Sequence, residues 1–221
     1  MSAHTGAARK PAARQTRNSQ VTREQILAAA IEEFCAQGYA GANTTRIVQA
    51  AGCNIRMLYH YFENKDGLYL AALTRVYEEL RRSERETSFW DLPPRDGIIA
   101  LTHFTFDYML RNPSFPKMIL NENLNLGRAA AQVKETIFST ARPFLDSIET
   151  LLVRGHASGD FTHRPPALHL YLTILSLSFI HISNRHTLQA TFDVDLGSDG
   201  FLHDRKAHAT DVVLAYLTRT A

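Results

Sequence analysis

Residues Thr44 to Leu68, TTRIVQAAGCNIRMLYHYFENKDGL, constrain this chain more tightly than any other stretch. Ile47, Val48 and Ala51 form one short apolar stripe, and Leu58 and Phe62, four apart, form a second. Gly52 lies between them and supplies the unusual backbone that a tight turn between two short helices needs. The spacing therefore predicts two short helices, the second over about 54–61, touching through Ile47, Val48, Ala51, Cys53, Leu58 and Phe62. Asn54, Ile55, Arg56, Tyr59 and His60 are left on the outside.

Those residue types suit a DNA major groove. Arginine bonds a guanine edge at two points, asparagine does so with adenine, and isoleucine meets a thymine methyl. Tyr59 and His60 are expected at phosphate oxygens. Thr44 and Thr45, with Arg46 beside them, open the first of the two helices, where free N–H groups favour an anion. Lys65 opens the next helix and is expected to act similarly. Two residues carry alternatives: Arg56 can pair with Glu63 instead, and Tyr61 can pack as a core aromatic.

The charge distribution agrees. The net charge is +2, but residues 1–82 hold eleven Lys+Arg against seven Asp+Glu, and the remainder is mildly acidic. Residues 1–20 read as a flexible basic tail without large apolar side chains. Thr22 and Gln25 then fit a capping box that opens a helix through Ile26, Leu27, Ala30, Ile31 and Phe34 and stops at Gly38. A fourth helix runs from Lys65 through Leu68, Leu73, Val76, Tyr77 and Leu80 into a charged stretch near Arg85. SFWDLPPRDG, residues 88–97, is the expected linker. Further helices are expected over 98–110, 114–124, 128–156 with Pro143 kinking or restarting it, 166–183 and 205–218, with FDVDLGSDGF as a loop. No strand alternation appears. The fold expected is all-α in two domains, at about 21–86 and 93–221.

Several function classes fit poorly. There is no HExxH and no Asp-rich cluster, so neither a catalytic constellation nor a metal site is expected, and no cofactor. The longest apolar run, Ala167–Ile182, has 16 residues and several polar ones, short of the ~20 a membrane span needs. Cys35 and Cys53 suit a reduced, cytoplasmic protein; a redox sensor built on them is the alternative regulator reading, and a helical enzyme the more distant one.

TTRIVQAAGCNIRMLYHYFENKDGLYLAAL resembles the DNA-binding domain of the TetR family of bacterial transcriptional regulators. Thr45, Ile47, Ala51, Gly52, Leu58, Tyr59, Tyr61, Phe62, Lys65 and Leu68 match the family pattern, as do Phe34, Gly38 and Tyr39 upstream. Three positions depart from it: Val48 for the usual alanine, Arg56 for a frequent glycine, and Met57 where a threonine often bonds phosphate. The resemblance implies a tetracyclin repressor-like helix-turn-helix domain followed by a larger helical domain for ligand binding and dimerisation. It also implies a repressor that grips a palindromic operator as a homodimer through its last two helices, here about 166–184 and 205–218. Release would come from a small apolar or aromatic effector, for which Phe104, Tyr108, Met118, Phe138, Phe144, Phe179 and His181 are the candidate pocket residues.

Overall fold

The computed structural model describes residues 12–219, all its regular elements being helices. The chain folds as two compact units, Met1–Ala72 and Leu73–Ala221.

The smaller unit starts with α1 (Ala12–Gly41), whose Gly38 takes a left-handed φ of 66° and kinks the last turn. This helix begins upstream of Thr22, so Thr22 and Gln25 lie inside it and form no capping box. Nothing between Ala12 and Gly38 breaks a helix, and Ala, Arg and Gln are strong helix formers. Of the basic tail, residues 1–11 lie outside the described residues, and the backbone from Ala12 to Gln20 is helical. Next come α2 (Thr44–Ala50), α3 (Ile55–Phe62) and the start of α4 (Lys65–Arg85). Ile26, Ala30, Phe34, Ile47, Leu58 and Leu68 are fully buried and join these helices. Phe34 meets the Tyr69 ring edge-on at 4.8 Å.

The larger unit contains the rest of α4, then α5 (Pro94–Arg111), α6 (Ser114–Leu124), α7 (Arg128–Gln132), α8 (Lys134–Ser158), α9 (Ala167–Ser183), α10 (Arg185–Phe192) and α11 (Asp199–Thr218). Helix α9 is central, packing on α5, α6, α8, α10 and α11. Its Leu170 and Ile174 join Ile98, Leu101, Ile148, Leu152, Val213 and Leu217 in one core. The expected linker is pinned to this unit: Phe89 is buried, and Arg154 donates to the carbonyls of Trp90 and Leu92 at 2.7 and 2.8 Å.

In this unit α5 starts at Pro94 rather than Ile98, its first turn taking the end of the expected linker, and three further boundaries differ from the sequence reading. The break expected at Pro143 falls at Val133 instead, and Pro143 sits inside α8. A proline removes a single N–H, a loss the surrounding helix absorbs. The start of α7 is held by the buried Glu122, whose carboxylate accepts the N–H groups of Ala129 and Ala130 at 2.7 and 2.9 Å. At the other end, α11 starts at Asp199 rather than Arg205, because the Ser198 hydroxyl caps it by accepting Phe201 N–H at 3.3 Å. A separate α10 also follows α9 after Asn184.

Gly155 shows how closely the larger core is fitted. The chain leaves α8, turns at Gly159, and returns Phe161 N–H to the Gly155 carbonyl at 3.0 Å. The fully buried Phe161 ring occupies the space where a Cβ on residue 155 would stand. Gly155→Ala is therefore expected to lower the unfolding free energy by about 1–3 kcal/mol through overpacking, although alanine alone favours a helix by about 1 kcal/mol. A urea titration followed by circular dichroism checks the sign; an unchanged or raised midpoint contradicts this packing.

Candidate nucleic-acid interface

The α2–α3 pair is built from short-range hydrogen bonds before any core contact is counted. The Asn43 side chain caps α2 by accepting Thr45 N–H at 2.7 Å. Its own N–H donates to Glu33 of α1 at 2.9 Å. The same carboxylate oxygen accepts Arg46 Nε at 2.9 Å, and Arg46 also donates to the Gly41 carbonyl at 2.9 Å. The Arg46 guanidinium is the main cause holding the Glu33 carboxyl below its ordinary value. Thr44 is the first residue of the helix, half-buried, with Thr45 exposed beside it.

Helix α2 ends in a Schellman turn. Gly52 takes φ 64°, its N–H reaches the Gln49 carbonyl at 3.2 Å, and Cys53 N–H reaches the Val48 carbonyl at 3.0 Å. Asn54 then caps α3, its side-chain oxygen accepting Met57 N–H at 3.1 Å. The acceptor of the Asn54 amide is thus used by the helix itself. Within α3, Leu58 and Phe62 are buried, Ile55 and Met57 half-buried, and Arg56, Tyr59 and His60 exposed. No acid pairs with Arg56 among the described residues, so the Glu63 alternative is not formed.

Two site residues hold the frame together. The Tyr61 hydroxyl lies 3.0 Å from Ser19 Oγ, tying α3 to α1. Lys65 lies in the first turn of α4, its ammonium 4.9 Å from the centre of the Tyr39 ring and 3.4 Å from the Ala40 carbonyl. The Tyr39 hydroxyl in turn donates to Asp66. Both cysteines are half-buried and lie outside any disulfide, and burial pushes the Cys53 thiol up, the reverse of what a reactive sensor thiol needs.

The larger unit holds a cavity of about 210 Å³, whose lining includes Arg81, Glu84, Trp90, Pro143 and Phe144. Of the expected pocket residues only Phe144 lines it. Phe104 stacks obliquely on Tyr108, Met118 is wholly core, and Phe138 is 54% exposed. Phe179 is half-buried. His181 is buried with its ring stacked on Phe106, and neither ring nitrogen has a hydrogen-bond partner among the described residues. Burial, and secondarily Arg205, pushes His181 down to about 4. Sequence reasoning missed Arg81 and Glu84 because they lie in a charged stretch. Their spacing from Tyr77 and Leu80 places them on the buried stripe of α4, which is the signal that identifies them.

Two short helices with a glycine turn, a buried inner face and a cationic-aromatic outer face define a helix-turn-helix DNA-binding protein. Residues 26–72 match the family described as bacterial regulatory proteins, tetR family, and residues 94–213 match the tetracyclin repressor-like C-terminal domain. The chain belongs to the TetR family of transcriptional regulators. It is 30% identical over 198 residues to the HTH-type transcriptional repressor NicS of Pseudomonas putida, covering 90% of this chain and 93% of that protein. It is 29% identical to the HTH-type transcriptional activator FasR of Mycolicibacterium smegmatis, covering 76% of this chain and 77% of the relative. The fold matches a tetR-family regulatory protein from Rhodococcus RHA1 with a TM-score of 0.70 at 18% identity, over 90% of this chain and 98% of that one. It also matches FadR from Bacillus subtilis, solved in complex with stearoyl-CoA, with a TM-score of 0.60 at 15% identity, over 88% and 98% of the two chains.

The capping role of Asn54 has a direct test. Asn54→Ala is expected to cost about 1 kcal/mol of stability and Asn54→Asp only a few tenths, since aspartate keeps the acceptor. Thermal melts of the two variants that coincide would show that the cap is not what residue 54 contributes.

Proposed function

We propose that this protein is a ligand-responsive repressor that binds a two-fold-symmetric operator as a homodimer in the cytoplasm and leaves it when an effector occupies the larger unit. The observation that carries the reading is the division of α3: Leu58 and Phe62 inward, Arg56, Tyr59 and His60 outward. In this reading Arg56 and Ile55 read base edges, with Asn54 at the edge of the groove. Thr44, Thr45, Tyr59, His60 and Lys65 hold phosphates. Arg46 and Tyr61 fix the angle of the reading helix through Glu33 and Ser19.

A second copy is supported by α9. Leu168, Leu172 and Ile180 form an exposed apolar stripe at helical spacing, on a helix whose other side is already core. A two-fold axis through that face would set two recognition helices roughly 34–36 Å apart on one side of the duplex. Repression rather than activation is supported by NicS, and response to a ligand by FadR with its bound stearoyl-CoA. Among the described residues no single helix is long and apolar enough to cross a membrane.

In vitro selection from genomic fragments is expected to return a palindromic site bound with steep salt dependence. Arg56→Ala should cost about 1–3 kcal/mol and relax the preference at one base position, whereas Lys65→Ala should weaken all sequences alike and reduce the salt slope by about 1. Leu172→Glu should yield a monomer that no longer binds the selected site. Selection that enriches no sequence, or a Leu172→Glu protein that remains dimeric, would sink the corresponding part of this reading.

A further inference from the structure

Arg81 and Glu84 are an ion pair inside the larger unit, with Nη1 2.6 Å from Oε2 and side chains only 7% and 5% exposed. A buried pair of this kind contributes little to stability compared with apolar residues of the same size, so its presence asks for another reason. It lies in the wall of the half-open cavity, beside Trp90, Pro143 and Phe144, with the exposed Arg85 also at the cavity. We propose that this cavity takes a small aromatic carboxylate, one ring bearing one acid group, and that Arg81 is the residue that grips it. The proposal rests on the effector-responsive reading above and names the chemical class of the effector.

Charge selects the sign of the ligand. Two guanidinium groups and one carboxylate line the cavity, leaving it cationic. The hydroxyls there do not compete for an anion, because Ser139, Thr140 and Ser147 already donate to the carbonyls of Thr136, Ile137 and Pro143. The Arg81 guanidinium lies over the Phe144 ring at 4.5 Å, with the Tyr171 ring at 5.9 Å. A planar fork restrained by its buried ion pair and by neighbouring aromatic rings is organised in advance for the two oxygens of a carboxylate.

Shape selects the rest. The Trp90 and Phe144 rings meet edge-to-face at 5.6 Å and offer a further ring an aromatic wall. A volume of about 210 Å³ equals about seven waters in the liquid and lies below the several hundred cubic ångströms of drug-sized sites. That space is filled by a single substituted ring, and most of a long acyl chain would have to extend through the open side into solvent.

Glu84 then acts as the occupant that the ligand displaces. Burial raises its carboxyl to about 7, with Arg81 and then Arg85 opposing the rise. The other titratable groups interacting with it are Tyr108 of α5 and Tyr171 of α9. When a ligand carboxylate takes Arg81, Glu84 loses its largest stabilising partner and takes up a proton from solvent. Binding is therefore tighter below pH 7, and it weakens as pH rises through the value of the free protein.

Trp90 is the sole tryptophan of the chain, so its fluorescence reads this cavity. The full-length protein is titrated with benzoate, benzamide, benzylamine and decanoate. Benzoate is expected to change Trp90 emission with an affinity at least about tenfold better than the amide or the amine. Decanoate should bind no tighter than benzoate. Benzoate affinity should fall about tenfold between pH 6 and pH 8. Arg81→Gln should remove the preference for acid over amide, and Ser147→Leu, which fills the cavity, should abolish the response to all four.

The proposal is overturned if benzamide or benzylamine binds as well as benzoate, if Arg81→Gln keeps the preference, or if Trp90 does not respond to benzoate. Should Arg81→Gln fail to fold, the ligand panel on the unaltered protein and Ser147→Leu still decide. Operator binding is measured separately by mobility shift. A protein that binds no operator refutes the regulatory reading while the titration still judges the cavity. An operator released by a neutral ligand and not by benzoate leaves that reading standing and refutes this one.

Discussion

The smaller unit depends on the burial of Leu58 and Phe62. A helix of eight residues is not stable in water by its own hydrogen bonds. Helix α3 therefore exists because its apolar pair finds a surface, and α1 with α2 provide it. The Schellman turn at Gly52 sets where the chain re-enters, and the Asn54 cap sets where the helix restarts. Once those are set, the outward direction of Arg56, Tyr59 and His60 follows from helical geometry alone. The Glu33–Arg46 contact and the Tyr61–Ser19 contact act at the periphery of this arrangement, resisting rotation of the pair. Cationic side chains thus divide into those that brace the frame and those that face solvent, and composition alone cannot separate them.

The larger unit places several polar groups in an apolar centre. Glu122 is repaid by two backbone N–H groups, and Glu84 by Arg81. Ser178 Oγ and the nitrogens of His181 have no such return among the described residues. All of these lie in helices that form the core of this unit, where apolar residues would pack at lower cost. The contrast with the smaller unit, whose polar groups are spent at helix ends, marks the larger one as the place where stability has been given up for something else.

Much of this was legible in the sequence. Period separates the inner and outer faces of α3, because Leu58 and Phe62, four apart, share one face opposite Arg56 and His60. It also locates most helices beyond α4. Where the reading slipped, a short-range interaction outweighed a residue's usual meaning. Pro143 has the chemistry of a breaker and is carried within a helix, and Thr22 has the chemistry of a cap and lies inside α1. The start of α1 moved because helix propensity needs no apolar stripe to express itself. The cavity was the least legible part. Large apolar residues such as Phe104, Met118 and Phe138 are equally suited to core, cavity or surface, and tertiary packing alone distributes them. Arg81 and Glu84 looked like solvated charges until their register with Tyr77 and Leu80 was followed.

His181 carries a consequence for the life of the protein in acid. Its ring is neutral, stacked on Phe106 and near Arg205, and it resists a proton down to about 4. An unfolded chain would accept that proton near pH 6.5. As the pH falls from 6.5 toward 4, the unfolded form is progressively favoured, because it binds a proton the folded form refuses. Below that range the folded form must take a second positive charge beside Arg205 in its own interior. His181 alone thus weakens the larger unit in acid, but Glu84, whose carboxyl is raised to about 7, takes up a proton in the folded form over much the same range and opposes that loss, so two buried groups of opposite character level the acid response of one unit.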